Sequence, residues 1–265
     1  MYTLKAKYLR AESLSLLKRY EEALVGYETV IDQGQSIYYA PSLYKAALIA
    51  YNQTQDMARA YKHYQAFIPL ADTEEKSYDA TLGALRCAYK LNKAQDVYSM
   101  SAKVISHPRA TDDVRALANY YTAQMAMSEH KLDTAMQSFN AIIRINSAEL
   151  AAESRYQIAS IYNLKGEPEV AGKLAEESAR ANVGYPFWVA KSLLLLADVQ
   201  FAAGDLLNAR AVTEAIIENF EGDEVIMKEA TEKLEKIKLE EENVSRIKPQ
   251  SGDTLELQPN PKKED

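Results

Sequence analysis

Every 36 to 38 residues this chain returns to the same alanine-centred mark, and a recurrence of that period restricts it to stacked helical hairpins. The mark reads YEEA ending at Ala23, MARA at Ala60, LDTA at Ala135, PEVA at Ala171 and LLNA at Ala209, with AQDV ending at Val97 filling the gap. Successive spacings are 37, 37, 38, 36 and 38 residues. Around each mark stand an amphipathic run, a short polar turn and a second amphipathic run that begins just before the alanine. In the last repeat these are AKSLLLLADVQFAA, Gly204-Asp205 and LLNARAVTEAIIENF. Apolar positions recur at three and four residues, so both runs are helices. Two helices joined by so short a turn lie antiparallel. Neither buries its apolar stripe alone, so the hairpins stack on one core.

Small residues let the stack close. Ala11, Ala123, Ala159 and Ala197 fall in the first helix of their repeats, twelve residues before the mark, where a larger side chain would push the paired helices apart. Tyr27, Tyr64 and Phe139 follow the mark by four residues and are expected to fill the hairpin interior, with Tyr51 and Tyr162 doing the same from the first helix. Pro41, Pro168 and Pro186 mark first turns, Asp72 with Glu75 offers a capping box for a helix beginning near Glu74, and Thr111 with Asp112 and Asp113 starts another. Those acids are explained by the positive end of a helix dipole, with no metal role.

After the sixth mark one more helix spans about 223–245. Val225, Ile226, Leu234, Ile237 and Leu239 form its narrow apolar stripe, and Glu229 with Lys233 and Glu232 with Lys236 form pairs at four residues. Its polar outer face suits the last helix of a solenoid. The prolines and charges from 246 to 265 read as a disordered tail.

Composition excludes several function classes. Of 265 residues 47% are hydrophobic and 26% charged, which is ordinary for a globular chain, and no apolar run reaches the ~20 residues a membrane helix needs. The net charge of -7 is concentrated in residues 221–265, with 13 acids and 8 bases, leaving the repeat body nearly neutral. Such a body has no broad basic field for nucleic acid. Cys87 is the single cysteine and reads as a packing residue, and His63, His107 and His130 are scattered over three repeats rather than gathered as ligands. The nine glycines stand singly, so there is neither a phosphate-cradling loop nor a nucleophile elbow. We therefore expect no enzymatic activity, no cofactor and no metal.

The repeat pattern resembles the tetratricopeptide repeat family over about residues 2–220. The fit is good in AYNQTQDMARAYKHYQAF, IYNLKGEPEVAGKLA and LADVQFAAGDLLNARAVTEAII. It departs at Arg10, where a large apolar residue is expected, at Val97 and Ser101, and at Gln200. The resemblance implies an all-α, right-handed superhelix of six hairpins at about 2–36, 37–73, 74–110, 111–147, 148–184 and 185–222, followed by the capping helix. It also implies a concave groove lined by first helices, here Tyr8, Glu12, Lys45, Asn52, Arg86, Tyr89, Tyr120, Gln124, Met127, Tyr156, Asn163, Asp198 and Phe201. Tyrosine, arginine and methionine are side chains that protein interfaces favour. Some family members grip a partner's C-terminal carboxylate, but Lys45 is followed by Ile49 where that clamp needs asparagine, so the clamp is not carried over.

The last repeat, with its YP entry, LAD segment and GD turn, is similar to the periplasmic branch of the family in Gram-negative bacteria. That likeness implies an envelope scaffold, periplasmic or associated with the outer membrane, with a cytoplasmic location as the alternative. The function expected is a scaffold or adaptor holding a protein or peptide in the groove. The alternative is a spacer or self-association module acting through the N-terminal hairpin. Tyr2, Leu4, Tyr8 and Leu9 open the first helix with nothing before them to cover it, so the chain is expected to be the C-terminal part of a longer repeat protein.

Overall fold

The computed structural model describes residues 3–145 and 148–247. Among these residues it contains thirteen α-helices, one 3-10 turn at Ile68–Leu70 and no strand. The helices are α1 (Leu4–Leu16), α2 (Tyr20–Ile31), α3 (Tyr39–Asn52), α4 (Met57–Phe67), α5 (Glu74–Lys90), α6 (Ala94–Ser106) and α7 (Asp112–Ser128). They continue with α8 (Leu132–Ile145), α9 (Ala148–Leu164), α10 (Pro168–Ala181), α11 (Pro186–Ala202), α12 (Leu206–Asn219) and α13 (Glu224–Ile247).

The chain forms two compact units, one ending at Gly166 and one starting at Glu167. In the first, α1/α2, α3/α4, α5/α6 and α7/α8 pair as hairpins, each hairpin packs on the next, and α9 packs on α8. In the second, α10 packs on α11, α11 on α12, and α13 on both α12 and α11.

The seams are built as their small residues demand. Ala11, Ala123, Ala159 and Ala197 are wholly buried, and so are Val97 and the five marking alanines. Tyr27, Tyr64 and Phe139 fill the hairpin interiors. Tyr51 and Tyr162 are only half-buried, so they close the edge of the seam rather than its centre. One close approach uses a glycine: a Cβ on Gly83 would stand 2.6 Å from Cζ of the buried Tyr64 ring.

The turns repeat more strictly than the sequence does. Lys18, Gln55, Asn92, His130, Gly166 and Gly204 all take positive φ, between 53° and 78°, five residues before each mark. This is the left-handed residue that ends a helix and turns its last carbonyls inward. The accompanying bond is visible where Arg19 N–H donates to Leu14 O at 2.9 Å, Lys93 to Ala88 at 2.9 Å and Asp205 to Gln200 at 2.9 Å. Only two of the six positions use glycine, which is why the motif does not stand out in the sequence.

Local expectations fail in two places. The cap of α5 is Thr73, whose hydroxyl accepts from Lys76 N–H at 3.2 Å, while Asp72 pairs instead with the Lys76 ammonium at 2.9 Å. Thr111 does cap α7, accepting from Val114 N–H at 3.3 Å. In α13 the buried residues are Ile226, Ala230 and Ile237, whereas Val225 and Leu239 are exposed. Those two lie well around the helix from the 226–230–237 line at 100° per residue. Nor do the expected pairs within α13 form: Glu229 reaches Lys191 of α11 at 3.2 Å, Lys233 pairs with Asp198 of α11, and Glu232 pairs with Lys228 at 3.8 Å instead of with Lys236. Asp223 precedes the helix and accepts from Val225 N–H at 2.8 Å, and α13 runs through Ile247, into the stretch expected to be tail. The rest of that tail lies outside the described residues.

Candidate functional site

Within the first unit the odd-numbered helices share one face, and α5 touches both α3 and α7 directly. At the start of this face Tyr8 stacks on Tyr38 with centroids 5.0 Å apart and meets the edge of Tyr27 at 5.9 Å. One turn on, Glu12 accepts from the Tyr27 hydroxyl and from Lys45 Nζ, the latter at 3.1 Å. Burial works to raise the Glu12 carboxyl, but the hydrogen bonds from Tyr27 and Lys45 outweigh it and hold the group below the usual carboxylate range. Tyr8, Glu12 and Lys45 therefore form a satisfied cluster. Asn52 is exposed and turns its amide back on Leu48 O at 3.0 Å.

The middle of the face is different. Tyr89 of α5 stacks on Tyr121 of α7 at 4.1 Å with planes 18° apart, and Tyr121 leans on Tyr120 at 6.4 Å. The Tyr120 hydroxyl and the Gln124 amide both donate to Oε1 of Glu153 on α9, each at 3.2 Å. Burial lifts the Glu153 carboxyl above its usual range, Glu149 adds to the rise, and hydrogen bonds from Tyr120 and Gln157 do not offset it. Arg86 of α5 is half-buried near the same rings. Burial raises the phenols of Tyr64, Tyr78 and Tyr121, and the Arg86 charge opposes the rise at all three. Among the described residues no carboxylate lies within salt-bridge distance of Arg86.

Four expected residues, Arg86, Tyr89, Tyr120 and Gln124, thus come together with two that were not singled out, Tyr121 and Glu153. Glu153 stands three residues before the expected Tyr156 on the first helix α9, so extending the first-helix lining by one turn would have found it. Met127 and Tyr156 are half-buried on α7 and α9, and Asn163 is exposed near the end of α9. In the second unit Asp198 and Phe201 line a separate cleft of about 350 Å³ with Glu229, Lys233 and Ile237.

Other groups are accounted for by packing. Cys87 is buried, and burial pushes its thiol up to about 12, with Arg86 pulling the other way, which favours the neutral thiol of a packing residue. His63 is buried against Glu28, with Nε2 at 2.9 Å from Oε1, and His107 stacks on Tyr78 at 4.3 Å. Among the described residues no group of three or more His, Cys, Asp or Glu side chains could hold a metal ion, and no helix is long and apolar enough to cross a membrane.

Antiparallel hairpins with buried alanines at fixed register and one left-handed turn residue per repeat decide the architecture. The fold is that of a tetratricopeptide-repeat array. No family model matches the sequence, and no curated protein matches it either. Among solved structures, the chain is similar to the pilF protein of Pseudomonas aeruginosa, with a TM-score of 0.49 and 13% identity over 89% of this chain and 97% of that one. Against PilW, described as a widely conserved type IV pilus biogenesis factor, the TM-score is 0.48 and the identity 14%, covering 88% and 97% of the two chains. The P58(IPK) TPR domain gives a TM-score of 0.41 at 14% identity, covering 92% of this chain and 67% of that one. At such values no function passes from these proteins to this one.

Proposed function

We propose that this chain is a non-enzymatic adaptor whose first-helix face, between α3 and α9, holds an extended segment or a helix of a protein partner. The observation that carries this reading is the combination of stacked rings and unmet charge on that face. Tyr89, Tyr120 and Tyr121 offer broad, rigid contact area, and Arg86 and Glu153 are half-buried without a charged partner among the described residues. Aromatic and arginine side chains in desolvated settings supply most of the binding energy at protein interfaces. By contrast Tyr8, Glu12 and Lys45 satisfy one another and are assigned a structural role. The likeness of the last repeat to envelope scaffolds supports placing the protein in a bacterial cell envelope.

The test is a crosslinked pull-down comparing the chain with a Tyr89→Ala, Tyr120→Ala double variant, after circular dichroism has shown that both fold. A partner held by the first and lost by the second supports the adaptor. Equal recovery moves binding to another face.

A second reading has its own observation. Ala6 and Arg10 of α1 and Val25, Gly26 and Thr29 of α2 line an open cleft of about 460 Å³. The residues in the register of Ala6 in later repeats, Leu43, Ala80, Ala118, Ser154 and Ser192, are all buried. An additional helix fits here, whether from a preceding hairpin of a longer array or from a second copy. Recovery of the chain alone in the pull-down, with a sedimentation mass that rises with concentration, would favour this spacer reading over the adaptor.

A further inference from the structure

Two of the half-buried carboxylates in the first unit carry their own cations. Glu12 has Lys45 at 3.1 Å, and Glu28 has the Arg59 guanidinium at 2.6 Å together with His63 at 2.9 Å. Both groups are held below the usual carboxylate range because the bonds from their partners outweigh burial. Glu153 breaks the pattern. It is half-buried, yet only the neutral donors Tyr120, Gln124 and Gln157 reach it, and no described cation stands within salt-bridge distance. A carboxylate drawn out of water without an opposite charge is costly to keep, and neutral donors recover only part of its lost hydration.

The surroundings say what would meet that charge. Tyr120 binds the carboxylate directly, and Tyr89 is close enough that, after burial, the Glu153 charge is what raises its phenol. Tyr89 is in turn stacked on Tyr121. A carboxylate set beside aromatic rings suits a lysine ammonium or an arginine guanidinium, which pairs with the acid while its charge or aliphatic stem rests on a ring. The cation of the same face, Arg86, is not engaged with Glu153, so among the described residues of this face no opposite charge meets it.

We propose that Glu153, framed by Tyr120 and Tyr89, is the receptor for a lysine or arginine side chain of the polypeptide that this face binds. The inference rests on the adaptor reading and deepens it by naming a required feature of the partner, a basic residue at one fixed position. It also separates Glu153 from the neighbouring acid Glu149, which is exposed.

The experiment is selection of a random-peptide display library on the intact chain, followed by affinity measurements on the enriched peptides. Wild-type, Tyr89→Ala and Glu153→Gln proteins are compared, the last being nearly isosteric and still able to accept from Tyr120. The enriched peptides are expected to depend on Tyr89 and to share one lysine or arginine. Exchanging that residue for glutamine should weaken binding to the wild type roughly tenfold, and to Glu153→Gln hardly at all. Peptides that depend on Tyr89 but share no basic position, or a basic position whose effect survives in Glu153→Gln, would overturn the cation site while leaving the adaptor reading standing. Enrichment of no Tyr89-dependent peptide would overturn both. Should Glu153→Gln fail to fold, the lysine-to-glutamine exchange against the wild type decides alone, since an unchanged affinity rules the site out.

Discussion

Burial lifts the Glu153 carboxyl above its ordinary range, so ionising it works against the folded state. The unfolded chain releases that proton near pH ~4.3. Between this value and the higher folded one the native state holds the extra proton, so stability falls as pH rises through the window and stays reduced above it. Glu153→Gln is expected to stabilise the free protein at neutral pH, by under about 1 kcal/mol because the group is half-exposed, and to have no effect once the medium is acid enough to protonate both states. Urea denaturation at the two conditions checks this, and a destabilised variant at neutral pH would mean that the carboxylate is held by a partner after all. Glu12 and Glu28 have the opposite sign. Their lowered values add stability above the unfolded carboxylate range, and it is lost as pH falls through their folded values. The left-handed turn residues offer a second check. Gln55 has a φ of 58° and an exposed side chain, so Gln55→Gly is expected to stabilise by about 0.5 to 1 kcal/mol in thermal or chemical denaturation. No gain there would show that the turn strain is relieved by contacts of the side chain.

Helix pairing was legible because its signal is periodic and close-packing is unforgiving. The fully buried Ala11, Ala123, Ala159 and Ala197 are the same residues whose spacing announced the hairpins. Gly83 was missed as a packing residue, since a lone glycine inside a helical pattern reads first as a weakness. Its physical reason is the Tyr64 ring, which occupies the space a Cβ would need. Gly83→Ala gains about 1 kcal/mol of helix propensity, yet it forces an overlap at 2.6 Å against a buried ring that has little room to move. Net destabilisation of about 1 to 2 kcal/mol is expected in chemical denaturation; a stabilised variant would show that the α4/α5 seam has slack. The stripe of α13 was read too broadly because hydrophobicity alone admitted Val225 and Leu239. Angular position excludes them, and Glu229 and Lys233 turned outward to α11 instead of pairing along the helix. An acid and a base four residues apart satisfy a helix weakly, so a neighbouring helix with a complementary charge readily takes either one.

The architecture of each compact unit could be argued from the recurrence alone, whereas the division at Gly166 could not, because the mark continues unbroken across it. The composition of the proposed binding face was half legible. Register places Arg86, Tyr89, Tyr120 and Gln124 on first helices, but sequence cannot distinguish a charge already satisfied, such as Glu12 beside Lys45, from one left open, such as Glu153. That distinction depends on which side chains reach across hairpins 29 to 33 residues apart. The most direct test of the adaptor is site-specific photocrosslinking in extract of the source organism, with benzoylphenylalanine replacing Tyr89 in one protein and the exposed Ser99 of the second helix α6 in another. Crosslinking of one discrete partner from position 89 and none from position 99 is the predicted result. Crosslinks to that partner from position 99 and none from position 89 would contradict it.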